Sequence, residues 1–273
     1  MDYATARWRA SAQYLDLSPG FRADVGFVPR VDTRTVSFDF APQLRRRSGW
    51  YSYLAIGPFA SQTRDHGGEL TDQDVGLSLS YEGPLQTRVG GRLTNHRERH
   101  LGVLYTLNRV TGYVDLKPAG GFGATLQWQI GDAIDYTNAR QAAEITLTPS
   151  VHLGLGTRLA LDLSDAYQRL SRDGREIFTA NILQSKIAYN LNVRTLARLI
   201  LQYRTVDRNP AEYLDPIDRS ETGLFGQFLF AYQVNPQAVF FLGYSESGLG
   251  TQSYDLTRSS RTIFVKIGYG WRP

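Results

Sequence analysis

Apolar and polar residues alternate along much of the chain with the two-residue period of a β-strand. Segment 262–271 shows the pattern most clearly, because its odd positions are apolar and end in the aromatic pair Tyr269 and Trp271. Its even positions are mainly small or charged, including Lys266. The same alternation recurs at 6–14, 36–40, 75–81, 122–130, 144–152 and 158–164. Segments 224–234 and 238–244 are also predicted strands, but both of their faces carry apolar residues.

No stretch of the sequence reaches the roughly 18 consecutive apolar residues that a membrane-spanning helix needs. Strands in a membrane barrel escape this test, because only every second residue faces lipid. The pattern therefore predicts an all-β fold, a transmembrane antiparallel up-and-down β-barrel of about 14 strands, within a range of roughly 12–16. An even strand number would place both chain ends on one side, and segment 101–116 is the least regular of the predicted strands.

The predicted connections tend to alternate between long and short. The longer, polar ones lie near 15–31, 62–72, 94–101, 132–141, 170–176, 205–221 and 246–260. The shorter ones lie near 42–48, 82–84, 117–121, 153–157, 190–194 and 235–237. Outer-membrane barrels have short periplasmic turns and long extracellular loops, so this order favours such a barrel over a soluble sandwich or propeller.

One domain, 1–273, accounts for the whole pattern, since no linker or low-complexity tract interrupts it. The first residues lack the apolar core of a signal peptide, which spans about 7–15 residues. An exported protein needs such a signal, so we expect the chain to be a mature form or, preferably, the C-terminal fragment of a longer precursor. If it is not exported, the barrel prediction fails.

Composition narrows the chemistry. The sequence has no Cys, which excludes disulfides, cysteine-bound zinc and thiol catalysis. The 26 Gly, 16 Tyr and 13 Phe suit a barrel with aromatic girdles, and the mean hydropathy of -0.32 leaves a soluble fold open. A formal net charge of +4 is a modest cationic surplus that would favour anions or acidic lipopolysaccharide.

Polar residues that interleave with apolar ones are candidates to line the lumen. An Arg pointed at mid-bilayer lipid costs roughly 2–4 kcal/mol, so these positions are expected to face inward or lie near an interface. The candidates are Arg7, Arg9, Arg88, Arg92, Gln127, Gln129, Glu144, Asp162, Arg198, Gln202 and Arg204. They fit a mildly anion-favouring, water-filled channel and equally fit a plugged lumen in which Arg pairs with acids.

Catalytic and metal-binding signals are weak, and we expect no enzyme activity, metal or cofactor. His152 lies beside a predicted turn, with Asp162 expected two residue pairs beyond its cross-strand position, which is not a nucleophile–base–orienter arrangement. His96 and His100 flank Glu98 at helical metal-site spacing, but they are predicted to lie in a loop. The Arg45–Arg47 triple is expected in a periplasmic turn, which argues against nucleic-acid binding.

Three segments carry a family resemblance: YLDLSPGFRADVGFVPR at 14–30, NPQAVFFLGY at 235–244 and RTIFVKIGYGW at 261–271. Together they resemble a C-terminal domain of unknown function, found downstream of family 9 carbohydrate-binding-like domains in bacterial envelope proteins. The resemblance implies export, an outer-membrane location and a β-barrel, and it supplies no catalytic residues. The carbohydrate-binding-like domain is absent from this sequence, and the barrel region of that family usually begins upstream of Tyr14.

Two functions remain open from the sequence. The first is a porin-like channel for small solutes, with a saccharide-related solute as the extension from the family resemblance. The second is a structural or docking barrel with a plugged lumen inside a larger outer-membrane complex. An outer-membrane hydrolase is a distant third. The expected partners are outer-membrane lipids and lipopolysaccharide, the outer-membrane assembly machinery and envelope proteins of a Gram-negative bacterium.

Overall fold

The computed structural model describes residues 1–22, 28, 30–250 and 256–270. Within these residues, fifteen strands form one antiparallel sheet in which each strand lies beside the next in sequence. The strands are β1 (Asp2–Ala4), β2 (Trp8–Leu17), β3 (Thr33–Arg45), β4 (Tyr53–Arg64), β5 (Leu70–Gly83), β6 (Thr87–His100), β7 (Val103–Ala119), β8 (Phe122–Asp135), β9 (Arg140–Leu155), β10 (Leu159–Arg172), β11 (Arg175–Asn192), β12 (Thr195–Arg208), β13 (Ser220–Asn235), β14 (Ala238–Gly250) and β15 (Thr257–Tyr269). The all-β, antiparallel, up-and-down prediction is confirmed.

The sheet is accompanied by very little helix. Two three-residue 3-10 turns, Pro84–Gln86 and Pro210–Glu212, lie between strands. Across the described part of the chain, no helix has the length and apolar character needed to cross a membrane. The chain divides into two compact units, which are described separately. The first unit comprises Met1–Asp115 and Gln127–Glu144, and the second comprises Leu116–Leu126 and Ile145–Pro273.

The N-terminal strand begins later than its alternation predicts. A turn at residues 5–7 separates the short strand β1 from β2, so Arg7 lies in a turn and not in a strand. The Thr5 hydroxyl accepts hydrogen bonds from the backbone N–H groups of Arg7 and Trp8, which fixes that turn. The apolar and polar residues alternate through Ala6 and Arg7 as they do in β2. The alternation therefore gave no sign of the turn at residues 5–7, which is stabilised by local hydrogen bonds to a side chain.

Two predicted long loops are wrong. Strands β6 and β10 run through 94–100 and 170–172, and only the pairs Leu101–Gly102 and Asp173–Gly174 separate them from β7 and β11. All four residues have positive φ, between 48° and 80°, which is the conformation of a two-residue hairpin turn. The strands therefore stay hydrogen-bonded to their neighbours in polar segments, where apolar and polar residues do not alternate and the sequence gives no sign of a strand. The short turn predicted near 42–48 lies further along the chain, at residues 46–52, because β3 continues to Arg45.

The segment that looked least regular, 101–116, proves to be regular from residue 103 onward. Strand β7 spans Val103–Ala119, and its register with β6 is continuous from Arg88↔Asp115 to His100↔Val103. Leu107 and Tyr105 are buried and form an apolar cluster with Ile134 of the first unit. Apolar residues on both faces of this strand hide its alternation, because a two-residue period needs one polar face to be visible.

In both units the strands separate an exposed apolar face from a more polar face. In the first unit Val75, Leu77 and Leu79 of β5 are exposed, while Ser78 and Ser80 point to the opposite side. In the second unit Ile263, Val265 and Ile267 of β15 are 69%, 62% and 74% exposed. We call these surfaces the apolar face and the polar face of each unit. Trp271, predicted to end the apolar series, lies outside the described residues.

Candidate functional site

A network of acids and a histidine lies on the polar face of the first unit. Asp74 of β5 is directly opposite His96 of β6, and Nδ1 of His96 is 2.7 Å from Oδ1 of Asp74. Nε2 of His96 is 3.2 Å from Oε2 of Glu98, and the Tyr136 hydroxyl donates to Glu98 at 2.8 Å. Ser61 donates to Asp74 at 3.3 Å. The sequence missed this network because His96 and Glu98 were assigned to a loop.

The hydroxyl of Tyr136 lies in the connection after β8. Burial raises its pKa above the ordinary tyrosine value, and the hydrogen bond to the Glu98 carboxylate raises it further. The ring also meets His100 edge-on, with 5.0 Å between the ring centroids. Tyr136 therefore stays protonated and keeps its hydrogen bond over the neutral pH range.

The predicted cations of the first unit occupy different environments on the polar face. Arg88 Nε donates to the Asp115 carboxylate at 3.1 Å, across the β6–β7 pair. The Arg92 guanidinium lies 4.6 Å from the centre of the Phe59 ring, which is a cation–π geometry. Among the described ion pairs, none involves Arg92. One predicted Arg is therefore neutralised by an acid and the other rests on an aromatic ring.

The remaining candidates of the first unit are more dispersed. Arg9 is exposed on β2, opposite Ala41 of β3, whereas Arg7 is exposed in the preceding turn. Gln129 Nε2 donates to Glu144 Oε2 at 2.7 Å, so this predicted pair is brought together. Gln127 is exposed in β8.

In the second unit Asp162 contacts a histidine and a lysine. Its Oδ1 lies 2.6 Å from Nδ1 of His152, and its Oδ2 accepts a hydrogen bond from Lys186 at 3.2 Å. The expected separation of two residue pairs does not keep His152 from Asp162, because diagonal neighbours in a sheet are within reach of long side chains. Histidine held by a carboxylate is half of a nucleophilic triad, but the described hydrogen bonds of this imidazole include no Ser or Thr hydroxyl.

Further cations lie on the same face along β12. Arg204 forms an ion pair with Glu221, which also accepts from Arg208 Nη2 at 3.1 Å. Arg198 differs, because its Nε is buried and has no hydrogen-bond partner within the described structure. Gln202, between these arginines, is directly opposite Gln184 of β11.

The polar face of the second unit contains a recess of about 500 Å³ near the short turns. His152, Arg158 and Asn190 contribute polar groups to it, and Gly121 and Gly154 form part of its lining. These backbones approach closely, since the Gly154 N–H donates to the Gly121 carbonyl at 2.6 Å. The recess thus brings a histidine and an arginine together beside closely spaced backbone groups.

The polar face is interrupted near the C-terminus. By register, Phe225 and Phe241 lie on this face, as the doubly apolar pattern of 224–234 and 238–244 predicted. Phe264 of β15 lies on the same face, where the alternation of 262–271 predicted mainly small or charged residues. The Phe264 ring covers Gly243, where an added Cβ would lie 2.1 Å from the ring. No cluster of three His, Asp or Glu side chains suited to a metal ion is found among the described residues.

Comparisons with known proteins agree with this architecture. No family model matches the sequence, and no curated protein matches it. The chain is similar to the outer membrane channel DcaP of Acinetobacter baumannii, with a TM-score of 0.50, 10% identity and coverage of 96% of this chain and 94% of that one. It also aligns with an anion-selective porin from Comamonas acidovorans (TM-score 0.38, 9% identity, 87% and 85% coverage) and with OmpT of Vibrio cholerae (0.34, 8%, 98% and 99%).

These comparisons bear on the fold alone, and of these three structures DcaP superposes best on the chain. At 10% identity the likeness carries no residue-level correspondence. The antiparallel up-and-down sheet of this chain therefore resembles the fold of the outer membrane channel DcaP.

Proposed function

We propose that the chain is an outer-membrane β-barrel of a Gram-negative bacterium that forms a channel for small solutes. The observation that carries the proposal is the separation of faces. Large apolar side chains such as Leu77 and Leu242 are exposed on long strands that are paired on both sides, where water would oppose them and lipid would solvate them. A sheet in hydrocarbon must leave no edge unpaired, so we infer that it closes into a barrel.

In such a barrel the polar face lines the lumen. Its charged groups are mostly in contact with opposite charges, as in Arg88–Asp115 and Arg204–Glu221. Arg92 and Arg198 have no carboxylate partner among the described contacts, so two guanidinium charges on this face are not paired with an acid there. Rings of charge set the selectivity of pores, so we propose a mild preference for anions. A saccharide-related solute is supported only by the family resemblance of the three sequence segments.

A plugged structural or docking barrel is the second candidate. Phe225, Phe241 and Phe264 favour it, because aromatic side chains on the polar face of β13–β15 suit contact with a plug or partner. A hydrolase is the third candidate, supported only by the contact between His152 and Asp162. We propose transport over catalysis, because the contacts of that pair supply no nucleophile.

Two assays separate these functions. A closed barrel migrates faster on SDS gels before boiling than after, so unboiled and boiled samples of the refolded chain test closure. Liposome swelling with uncharged sugars then tests the lumen. Swelling by a heat-modifiable protein supports the channel, and heat-modifiable protein without swelling supports the plugged barrel. Absence of heat-modifiability refutes both.

A further inference from the structure

The apolar face of the second unit contains a groove across β12–β14. Its volume is about 450 Å³, and Gly226 provides the floor because it carries no side chain between two large neighbours on its strand. Its apolar walls are Leu199, Leu201, Leu224 and Phe228. A Cβ built on Gly226 would meet only Leu201, at 3.6 Å, so the cleft is open above this glycine. The volume of the groove and its apolar walls suit a hydrocarbon chain.

Charged and polar side chains close one end of this groove. Glu246 lies directly opposite Gly226 and, on its other side, opposite Arg261 of β15. Its carboxylate accepts hydrogen bonds from Arg258 Nε and from the Tyr244 hydroxyl, and Arg261 Nη2 lies 3.8 Å away. Two guanidinium groups therefore face one carboxylate on the apolar face.

The two arginines keep unused hydrogen-bonding capacity. Their side chains are 55% and 47% exposed, and the described contacts with Glu246 engage only Nε of Arg258 and Nη2 of Arg261. A guanidinium presents five N–H donors in a planar fork that matches the oxygens of a phosphate. The cluster thus has an excess positive charge and free donors beside an apolar groove.

The position of the cluster suits a lipid headgroup. Strand β14 begins at Ala238, beside a short turn, and Glu246 follows eight residues later. At about 3.3 Å per residue and a tilt of about 40°, this places Glu246 roughly 20 Å along the membrane normal, near the far edge of an apolar band about 25 Å tall. That edge adjoins the longer connections, which face the outer leaflet in an outer-membrane barrel.

We propose that this groove binds one molecule of lipopolysaccharide, with an acyl chain over Gly226 and a lipid A phosphate held by Arg258 and Arg261. This inference rests on the proposed outer-membrane location. The net charge of the site indicates which lipid it binds. Two arginines and one glutamate leave one positive charge, which a phosphate ester without a compensating amine would neutralise. Zwitterionic phosphatidylethanolamine carries no net negative charge and would not neutralise it. Tyr244 orients Glu246, which in turn holds Arg258 toward the groove.

The test uses the full chain refolded in detergent and titrated with bis-phosphorylated lipid A, with bound lipid counted by native mass spectrometry. The Arg258→Ala/Arg261→Ala variant removes the headgroup contacts, and Gly226→Leu fills the groove but keeps the charges. Each is expected to weaken binding about tenfold or more, as lost charge-assisted contacts or lost burial would. The matched control is Arg172→Ala/Arg175→Ala, which removes two arginines that flank the two-residue turn between β10 and β11 and leaves binding unchanged.

Several results would overturn the proposal: equal binding by the wild type and both groove variants, equal binding of lipid A stripped of phosphate, or equal loss in the control. A change of oligomeric state in the groove variants, without a change in lipid binding, would assign the groove to a second copy of the chain. Heat-modifiability is measured on every sample. If the wild type shows it but binds no lipid A, only this inference fails. If the wild type lacks it, the proposed barrel fails as well.

Discussion

The assignment of faces predicts opposite responses at two adjacent residues of β6. Leu93 lies near the middle of this strand and is 55% exposed on the apolar face, opposite Leu77 on one side and Val110 on the other. Arg92, its neighbour in sequence, lies on the polar face over the Phe59 ring. An arginine is therefore already accommodated at this depth, but only on one side of the sheet.

Replacing Leu93 by Arg puts a guanidinium into lipid near the bilayer centre. The expected cost is about 2–4 kcal/mol, which lowers the folding equilibrium constant about 30- to 900-fold. Arg92→Gln keeps a polar side chain on the polar face and removes only the contact with Phe59, worth about 0.5–1 kcal/mol at an exposed site. The difference between the stability losses of Leu93→Arg and Arg92→Gln, and not either loss alone, shows which face is in contact with lipid.

The assay is reversible guanidinium unfolding from phosphatidylcholine vesicles, followed by tryptophan fluorescence. The two variants share the strand, the depth and nearly the same sequence position, so differences in refolding yield affect both alike. Leu93→Arg should be the less stable variant by at least about 1 kcal/mol, given the ranges above. Equal stabilities, or a larger loss in Arg92→Gln, would refute the reasoning, because lipid would then not be in contact with the apolar face.

Three other perturbations have definite outcomes. Arg198→Glu should lower the anion-to-cation permeability ratio in planar bilayers, and Arg198→Gln should lower it less. If the two variants had the same ratio, Arg198 would not line the lumen. Gly243→Val should cost about 1–3 kcal/mol of stability by displacing the Phe264 ring, and the added change Phe264→Ala should recover part of that loss in a denaturation assay. The pKa of Tyr136 is raised, so its contribution to stability is present below pH about 10 and lost as the pH rises further; Tyr136→Phe should flatten this alkaline decline.

Much of the sheet was predictable because one face of each strand is apolar. The alternation in 75–81 and 262–269 identified β5 and β15 and the side of each that is exposed. The sequence also placed Arg88 and Arg204 on the polar face, since no apolar face accepts them without cost. Their partners Asp115 and Glu221 were not predicted, because cross-strand pairing depends on register, which alternation alone does not fix.

The sequence predictions fail where both faces of a strand are polar. Thr94, His96 and Glu98 extend β6 beyond its apolar part, and backbone hydrogen bonds continue there without a hydrophobic signal. The His96 network was missed for that reason. The turn at Leu101–Gly102 depends on positive φ at a leucine, which sequence patterns seldom mark. A glycine after a polar run was the one available signal.

The proposed channel requires the polar face to surround an open, water-filled lumen. Planar-bilayer recording on heat-modifiable protein, with a salt gradient across the membrane, tests for such a lumen most directly. We predict discrete conductance steps and a reversal potential displaced toward the anion equilibrium potential, as expected from the arginines without acid partners. Correctly folded protein that inserts but conducts no ions would contradict the channel and leave a plugged, structural barrel.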